Sequence, residues 1–333
     1  MIPMTTAVMT TINAPTEAVK RLAGLDDYKL IVIGDAKTPM DWEHPNVRFF
    51  SVADQRLLGF DSAEHIPFNH YSRKNIGYLI AIRDGAQRIA DTDDDNIPYE
   101  RWEWPPFKGQ FLGCASDCGP VNVYSHFTDD FIWPRGVPLD RLRVDVTAHR
   151  EAEAERECSI WQGVVDGDPD VDAIYRLIVG KPCKFRKEPP LIIGKKTYCP
   201  INSQNTLHSE FAFPLLYLPT TVSFRFTDIL RGLVAQVTLW QFGKQIGFCG
   251  PNAEQIRNEH DLIRDFAQEV PMYLQTYSAL ALVQEAVLDA SDVHEAMHRA
   301  YESLSEGGIV AQSELISLEA WRNDMRAALG DGS

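Results

Sequence analysis

Arg88-Ile89-Ala90-Asp91-Thr92-Asp93-Asp94-Asp95-Asn96 (residues 88–96) is a short apolar lead-in that runs directly into three consecutive carboxylates. Ahead of it, residues 72–86 carry Ile76, Leu79 and Ile80 on one side and end on Gly85-Ala86, which predicts a helix. Further back, Leu30-Ile31-Val32-Ile33 closes on Gly34-Asp35. Such a continuous apolar run predicts a strand buried on both faces. Ala7 to Ile12 reads as a first strand. Pro15-Thr16-Glu17 then opens a helix to about Ala23, with proline near the first helical position. Val47 to Val52 reads as a third strand. The β-α-β-α alternation predicts an α/β fold with a mostly parallel sheet covered by helices.

Beyond residue 110 the pattern changes. Phe111 to Ala115, Val121 to Phe127 and Val222 to Phe226 read as short strands, and Asp228 to Trp240 as a helix. From Asn252 onward the periodicity is almost wholly helical. We therefore expect one domain over residues 1–250 and a helical extension over 251–333 that caps it or mediates self-association.

Three adjacent carboxylates at a strand end repel one another unless one protonates or a cation joins them. Hard oxygen ligands suit Mg²⁺ or Mn²⁺, which retain water and add substrate phosphate oxygens. In doubly wound sheets ligands bind beyond the carboxyl ends of strands, where this cluster falls. A solvated acidic turn is the alternative. Arg73 and Lys74 open the preceding helix, where cations oppose the helix dipole. An anion such as a diphosphate would reverse that sign. Otherwise the two side chains snorkel to solvent or pair with carboxylates.

The chain has 333 residues, 44% of them hydrophobic, and a net charge of −15. That acidity argues against nucleic acid as a partner. It also requires that a phosphate-bearing ligand be met by a metal or a local basic pocket. None of the six cysteines forms a CxxC pair, and Cys114 and Cys118 have no matching second pair, which argues against a zinc site. With no signal peptide and no apolar stretch of the ~20 residues that span a bilayer, we expect a cytoplasmic protein.

Ser72-Arg73-Lys74-Asn75-Ile76-Gly77-Tyr78-Leu79 followed by Asp91-Thr92-Asp93-Asp94-Asp95-Asn96 resembles the STELLO family of probable glycosyltransferases. Thr10 to Thr16 and Trp133 to Leu139 look like further segments of that family. Asp168-Pro169-Asp170-Val171-Asp172-Ala173, Cys199-Pro200-Ile201-Asn202-Ser203 and Arg225-Phe226-Thr227-Asp228-Ile229 resemble segments of the reversibly glycosylated polypeptides, which are UDP-arabinopyranose mutases. The matches span about residues 8–242. They imply a GT-A-like fold, a UDP-sugar donor and a divalent-metal site of the DxD type.

By that resemblance Thr11, Ile12 and Asn13 line the nucleotide, with Asp35 and Lys37 nearby. Asp35 also reads as an ordinary turn residue after Gly34. Asp95 and Asp93 are the expected metal ligands, with Asp93 or Asp94 facing the ribose instead. His208 is a candidate to complete the metal shell or a packing residue. Asp228 follows an apolar segment and opens a helix, so it is either the catalytic base or acceptor anchor, or a helix cap. Asp170 and Asp172 share a crowded acidic loop that lies near the sugar or is a solvated turn. The expected function is metal-dependent transfer from a nucleotide-sugar to a carbohydrate or glycosylated acceptor. A UDP-sugar mutase and a catalytically silent scaffold are the competing readings, and self-association would run through the C-terminal helices.

Overall fold

The computed structural model describes residues 4–115, 117–257 and 261–330. Its first half is the expected alternation. Strand β1 (Thr5–Thr11) leads to α1 (Glu17–Ala23), capped by the Thr16 hydroxyl accepting from Val19 N. Strand β2 (Tyr28–Gly34) is followed by β3 (Val47–Phe50). Ser51 then forms a capping box with Asp54 and starts α2 (Val52–Arg56), so Val52 is helical and not strand. After α3 (Ser62–His65), a single 3₁₀ turn at Tyr71–Arg73 leads into α4 (Lys74–Arg83), and β4 (Arg88–Thr92) ends at the acidic run. These strands lie parallel in the order β3-β2-β1-β4.

Helix α4 is buried from Lys74 to Ile82 because the sheet covers one side and a C-terminal helix the other. Gly77 makes the approach to the sheet possible. A Cβ there would stand 2.5 Å from Val8 Cγ1 and 3.0 Å from Ile33 Cγ1. The glycine in the 72–79 signature is thus a packing requirement.

The second half extends the sheet with β5 (Asn96–Pro98), β6 (Lys108–Cys114), β8 (Arg150–Glu157), β9 (Ile160–Gly167), β10 (Leu191–Ile193), β12 (Asn205–Ser209) and β13 (Ile246–Gln255). A separate two-stranded ribbon pairs β7 (Gly119–Pro120) with β11 (Thr197–Tyr198). Strand β12 runs antiparallel to both β4 and β9, so the sheet is mixed overall. The architecture is the expected α/β one, a mixed sheet flanked by helices. Three local expectations are corrected. Tyr124–Phe127, inside the expected strand 121–127, is a short helix, α5, where Asn122 Oδ1 accepts from Tyr124 N. Residues 222–226 form a turn, with Ser223 O accepting from Phe226 N and Thr227 N. Residues 252–255 belong to β13 and are not helical.

Helix α6 (Ala173–Ile178) follows the acidic loop, and α7 (Thr227–Gln241) is buried from Thr227 to Trp240. The C-terminal helices α8 (Leu262–Ala286), α9 (Val293–Glu306) and α10 (Glu314–Leu329) pack on α7, α4 and α3. One hydrophobic core runs from Ile33 and Leu79 to Met297 and Trp321. The boundary expected at residue 250 lies inside β13.

Three buried carboxylates on these helices stitch them to the rest. Glu269 accepts from Arg225 Nη2 (2.8 Å) and Ala173 N (2.7 Å). Glu314 accepts from Thr220 N and Thr221 N (2.8 Å) and from Tyr217 Oη. Asp324 accepts from Asp61 N and Ser62 N (2.8 Å). Removing a buried carboxylate strands all of its donors. Glu314→Ala is therefore expected to lower the unfolding free energy by about 3 kcal/mol. Urea unfolding followed by circular dichroism should show a single transition. Separate melting of residues 251–330 would instead mark an independent domain.

Candidate functional site

The carboxyl ends of β1, β2 and β4 lie side by side, with Thr11 opposite Gly34 and β4 ending at Thr92. The next three residues are each held differently. Asp94 Oδ2 accepts from Asn13 Nδ2 (3.0 Å) and Thr11 Oγ1, and its carbonyl accepts from Thr16 Oγ1. Asp93 Oδ1 accepts from Lys74 Nζ (3.0 Å) and the Tyr71 hydroxyl. Asp95 Oδ1 accepts from Gln255 Nε2 (3.0 Å), and its carbonyl accepts from Ile256 N. The loop is thus pinned to the end of β1, to the start of α4 and to the end of β13.

Lys74 is fully buried and donates to Asp91 Oδ1 (2.8 Å), Asp93 Oδ1, Thr92 O (2.7 Å) and Ser203 O (3.3 Å). Arg231, from α7, donates to Asp91 Oδ2 (3.0 Å) and Ser203 Oγ (2.6 Å). Burial alone would raise Asp91, but Lys74 and Arg231 hold it below the usual carboxylate range. Burial and the neighbouring Asp95 push Asp93 up to about 7, against the pull of Lys74.

Ser203 joins this centre to a second one. Its N–H donates to Asp228 Oδ2 (3.3 Å). Both Asp228 oxygens accept from Arg135 (3.0 and 2.8 Å), and the same guanidinium binds both oxygens of Asp170 (2.8 and 2.7 Å). Arg135 reaches them because Gly136, at φ 95°, lets the 133–139 segment press on α7. A Cβ there would meet Ile229 Cγ2 at 2.6 Å. Asp172 caps α6 through Tyr175 N (2.8 Å) and accepts from Trp133 Nε1 (2.7 Å), while burial raises it to about 6. Segments 133–139, 168–173, 199–203 and 225–229, far apart in sequence, thus meet in one buried charge cluster.

Several expected site residues lie elsewhere or play other parts. Arg73 does not face the acidic loop. It donates to Ile66 O (3.0 Å) and Gln55 Oε1 and stacks over Phe68, bracing residues 55–68. Lys74 meets carboxylates rather than solvent. Strand register sets His208 opposite Ile89 while Asn205 faces Thr92, so His208 lies back along the sheet from the acidic loop. Asp228 is in the first turn of α7 and makes no cap there, since its carboxylate belongs to Arg135. Asp35 accepts from Ala36 N (2.6 Å) in the turn that also holds the exposed Lys37, and Thr38 Oγ1 ties this turn to Thr11 O (2.6 Å). Sequence reasoning gave no role to Asp91, Arg135, Arg231, Ser203 or Tyr71. The signal available for Arg135 and Arg231 was a cation placed in or beside an otherwise apolar segment.

His208 is buried, and burial together with Arg231 depresses it to about 3. The unfolded chain therefore binds a proton near pH 6.5 that the folded one refuses. The His208 contribution is complete above that value and is lost as pH falls from 6.5 toward 3. Between pH 7 and 5 the loss is about 2 kcal/mol. Denaturant titrations at both pH values should show this component absent in His208→Gln. Equal pH slopes in the two proteins would contradict it.

No family model matches the chain. It is 29% identical, over an alignment of 350 positions, to the "Probable glycosyltransferase STELLO1" of Arabidopsis thaliana, and 28% identical over 348 positions to STELLO2 of the same plant. Each alignment covers 96% of this chain, which spans 44% of the length of these relatives. Among solved structures it aligns with glucosyl-3-phosphoglycerate synthase from Mycobacterium tuberculosis in complex with phosphoglyceric acid (TM-score 0.41, 12% identity, 84% of this chain and 80% of that one). The same enzyme in complex with Mn²⁺, UDP and glucosyl-3-phosphoglycerate gives a TM-score of 0.38 at 13% identity, over 87% and 82%. The likeness first read from residues 72–79 and 91–96 is thus a likeness along nearly the whole chain, including C-terminal residues where none was read.

Proposed function

We propose that this chain is a glycosyltransferase that takes its sugar from a nucleotide-sugar donor, with UDP as the nucleotide. The observation that carries the reading is the acidic loop at the ends of β1, β2 and β4, with Asp93, Asp94 and Asp95 each held by a different element. The similarity to two probable glycosyltransferases supports it.

The residues fit a divalent cation. Asp93 and Asp95 offer hard carboxylate oxygens, and among the described residues no group of three or more His, Cys, Asp or Glu side chains forms a closed cage. Mg²⁺ and Mn²⁺ suit such an incomplete set, because phosphate oxygens and water fill the remaining positions. Burial, and then the neighbouring Asp95, raise Asp93 despite Lys74, and a cation at the loop would lower it again. A bound cation would neutralise the diphosphate as it leaves. The protein's own part is to hold the donor. Thr11, Asn13 and the exposed Ile12 lie beside Asp94, where the nucleoside would sit, with Asp35 and Lys37 at its edge. His208 and Arg73 have no part in this reading.

On the acceptor side, Asp228 is one residue, Ser203, removed from Lys74, which in turn binds Asp93. We assign it the acceptor hydroxyl, with Arg135 fixing its orientation and Asp170 and Asp172 supporting that arrangement. A UDP-sugar mutase would share the donor site, and product analysis with UDP-sugars separates the two.

Calorimetry with UDP in chelated buffer, then with Mn²⁺, should show binding that depends on the metal. Asp95→Asn should weaken UDP at least tenfold, in line with the about 1.5–3 kcal/mol of a contact to a charged group. Equal UDP affinity with and without Mn²⁺ would remove the metal from the reading. Asp228→Asn should leave UDP affinity unchanged while kcat falls about 10²–10⁴-fold. A fully active variant would exclude Asp228.

A further inference from the structure

Strand β6 ends at Cys114, and the chain turns back within a few residues. Asp117 (φ 73°) and Gly119 (φ 68°) both adopt the left-handed conformation. Asp and Gly tolerate this region where most residues do not. The reversal brings Cys118 Sγ to 3.9 Å from Cys114 Sγ. The turn is clasped from outside: Asp117 N donates to Lys195 O, Lys196 Nζ lies 3.1 Å from Asp117, and Cys118 Sγ is 3.3 Å from Thr197 Oγ1. The two thiols differ in access. Cys114 is buried and Cys118 is half-buried, while Cys158, Cys183, Cys199 and Cys249 are all buried.

We propose that Cys114 and Cys118 form a redox-active dithiol that small-molecule disulfides such as oxidised glutathione convert to an intramolecular disulfide. The accessible Cys118 is the attacking thiol and the buried Cys114 the resolving one. Cys118 loses its proton and its sulfur attacks one sulfur of the oxidant, breaking that S–S bond and releasing one glutathione thiolate. Cys114 then loses its proton and attacks Cys118 Sγ in the mixed disulfide, releasing the second glutathione. Two protein thiols are oxidised and one disulfide is reduced to two thiols, so atoms and electrons balance.

Several features favour this reading. The sulfurs are already in contact, and a short shift within a surface turn completes the bond. The thiol–thiol contact favours the thiolate on the more accessible Cys118, lowering it below the usual thiol value while Cys114 is raised. The ring closed by the bond spans only a few residues, so it removes little unfolded-state entropy and stays readily reducible. Metal binding is the other common use of paired cysteines. Among the described residues, however, no third and fourth ligand join them.

The test is native-state mass spectrometry after incubation with oxidised glutathione. The wild-type protein should lose two hydrogen masses, carry no lasting glutathione, and show the bond within the peptide containing residues 114–118. Dithiothreitol should restore both thiols. Cys114→Ser, and Cys114→Ala as a second variant, should trap one glutathione on Cys118, while Cys118→Ser should remain unmodified. A lasting mixed disulfide on wild-type Cys118 with Cys114 still alkylatable would overturn the proposal. So would oxidation spread equally over the four buried cysteines, a result that needs no variant to fold.

Discussion

A buried ammonium group organises this molecule. Lys74 has no exposed side-chain surface, and burying an unpaired charge costs several kcal/mol. The cost is offset only because every direction around Nζ meets an acceptor: Asp91, Asp93, Thr92 O, Ser203 O and the Tyr71 hydroxyl. Those acceptors come from β4, from the turn before α4 and from the segment after β11. Lys74 therefore sets where the acidic loop stands relative to the sheet. Together with Arg231 it neutralises Asp91, and it also meets Asp93.

Arg135 plays the matching part on the other side. A planar guanidinium can bind two carboxylates at once in fixed geometry, which an ammonium cannot. Here it takes both oxygens of Asp170 and both of Asp228. Ser203, bonded to Lys74 through its carbonyl and to Asp228 through its N–H, couples the two centres. The three segments that resemble the reversibly glycosylated polypeptides meet in this cluster with Arg135, which comes from a segment that resembles the STELLO family. Their spacing along the chain reflects the lengths of intervening strands, while their chemistry is set by a single meeting point.

The first half of the fold was legible because its strands are local, parallel and covered on both faces, so apolar runs mark them directly. The acidic loop was legible because three consecutive carboxylates have few structural uses. Residues 121–127 misled because they are nearly all buried, which removes the polar alternation that separates a strand from a short helix, whereas Val222-Ser223-Phe224-Arg225-Phe226 carries the two-residue alternation of a strand in what is a turn. Side-chain direction was not legible either. Arg73 and Lys74 are neighbours at the start of one helix, yet one braces residues 55–68 and the other holds Asp91 and Asp93. Whether a cation serves an anionic ligand or a buried carboxylate depends on tertiary partners that local pattern does not encode. The same holds for His208, whose distance from Asp93 is set by antiparallel register with β4.

The C-terminal helices bear on the site through Glu269. This carboxylate, buried in α8, binds the guanidinium of Arg225, the backbone N–H of Ala173 and the Tyr273 hydroxyl. Arg225 lies in the turn that leads into α7, which carries Asp228, and its carbonyl accepts from Arg135. Ala173 follows Asp172 at the end of the acidic loop. A single residue of α8 thus holds both flanks of the Arg135 cluster. Without it, Arg225 would be a buried cation lacking its nearest partner, and the 168–173 loop would lose its anchor to α8. Helix α8 therefore helps to hold the Arg135 cluster in place. A likeness to the relatives that spans 96% of the chain is what such an arrangement requires, since the carboxylates of one half cannot be positioned without the helices of the other.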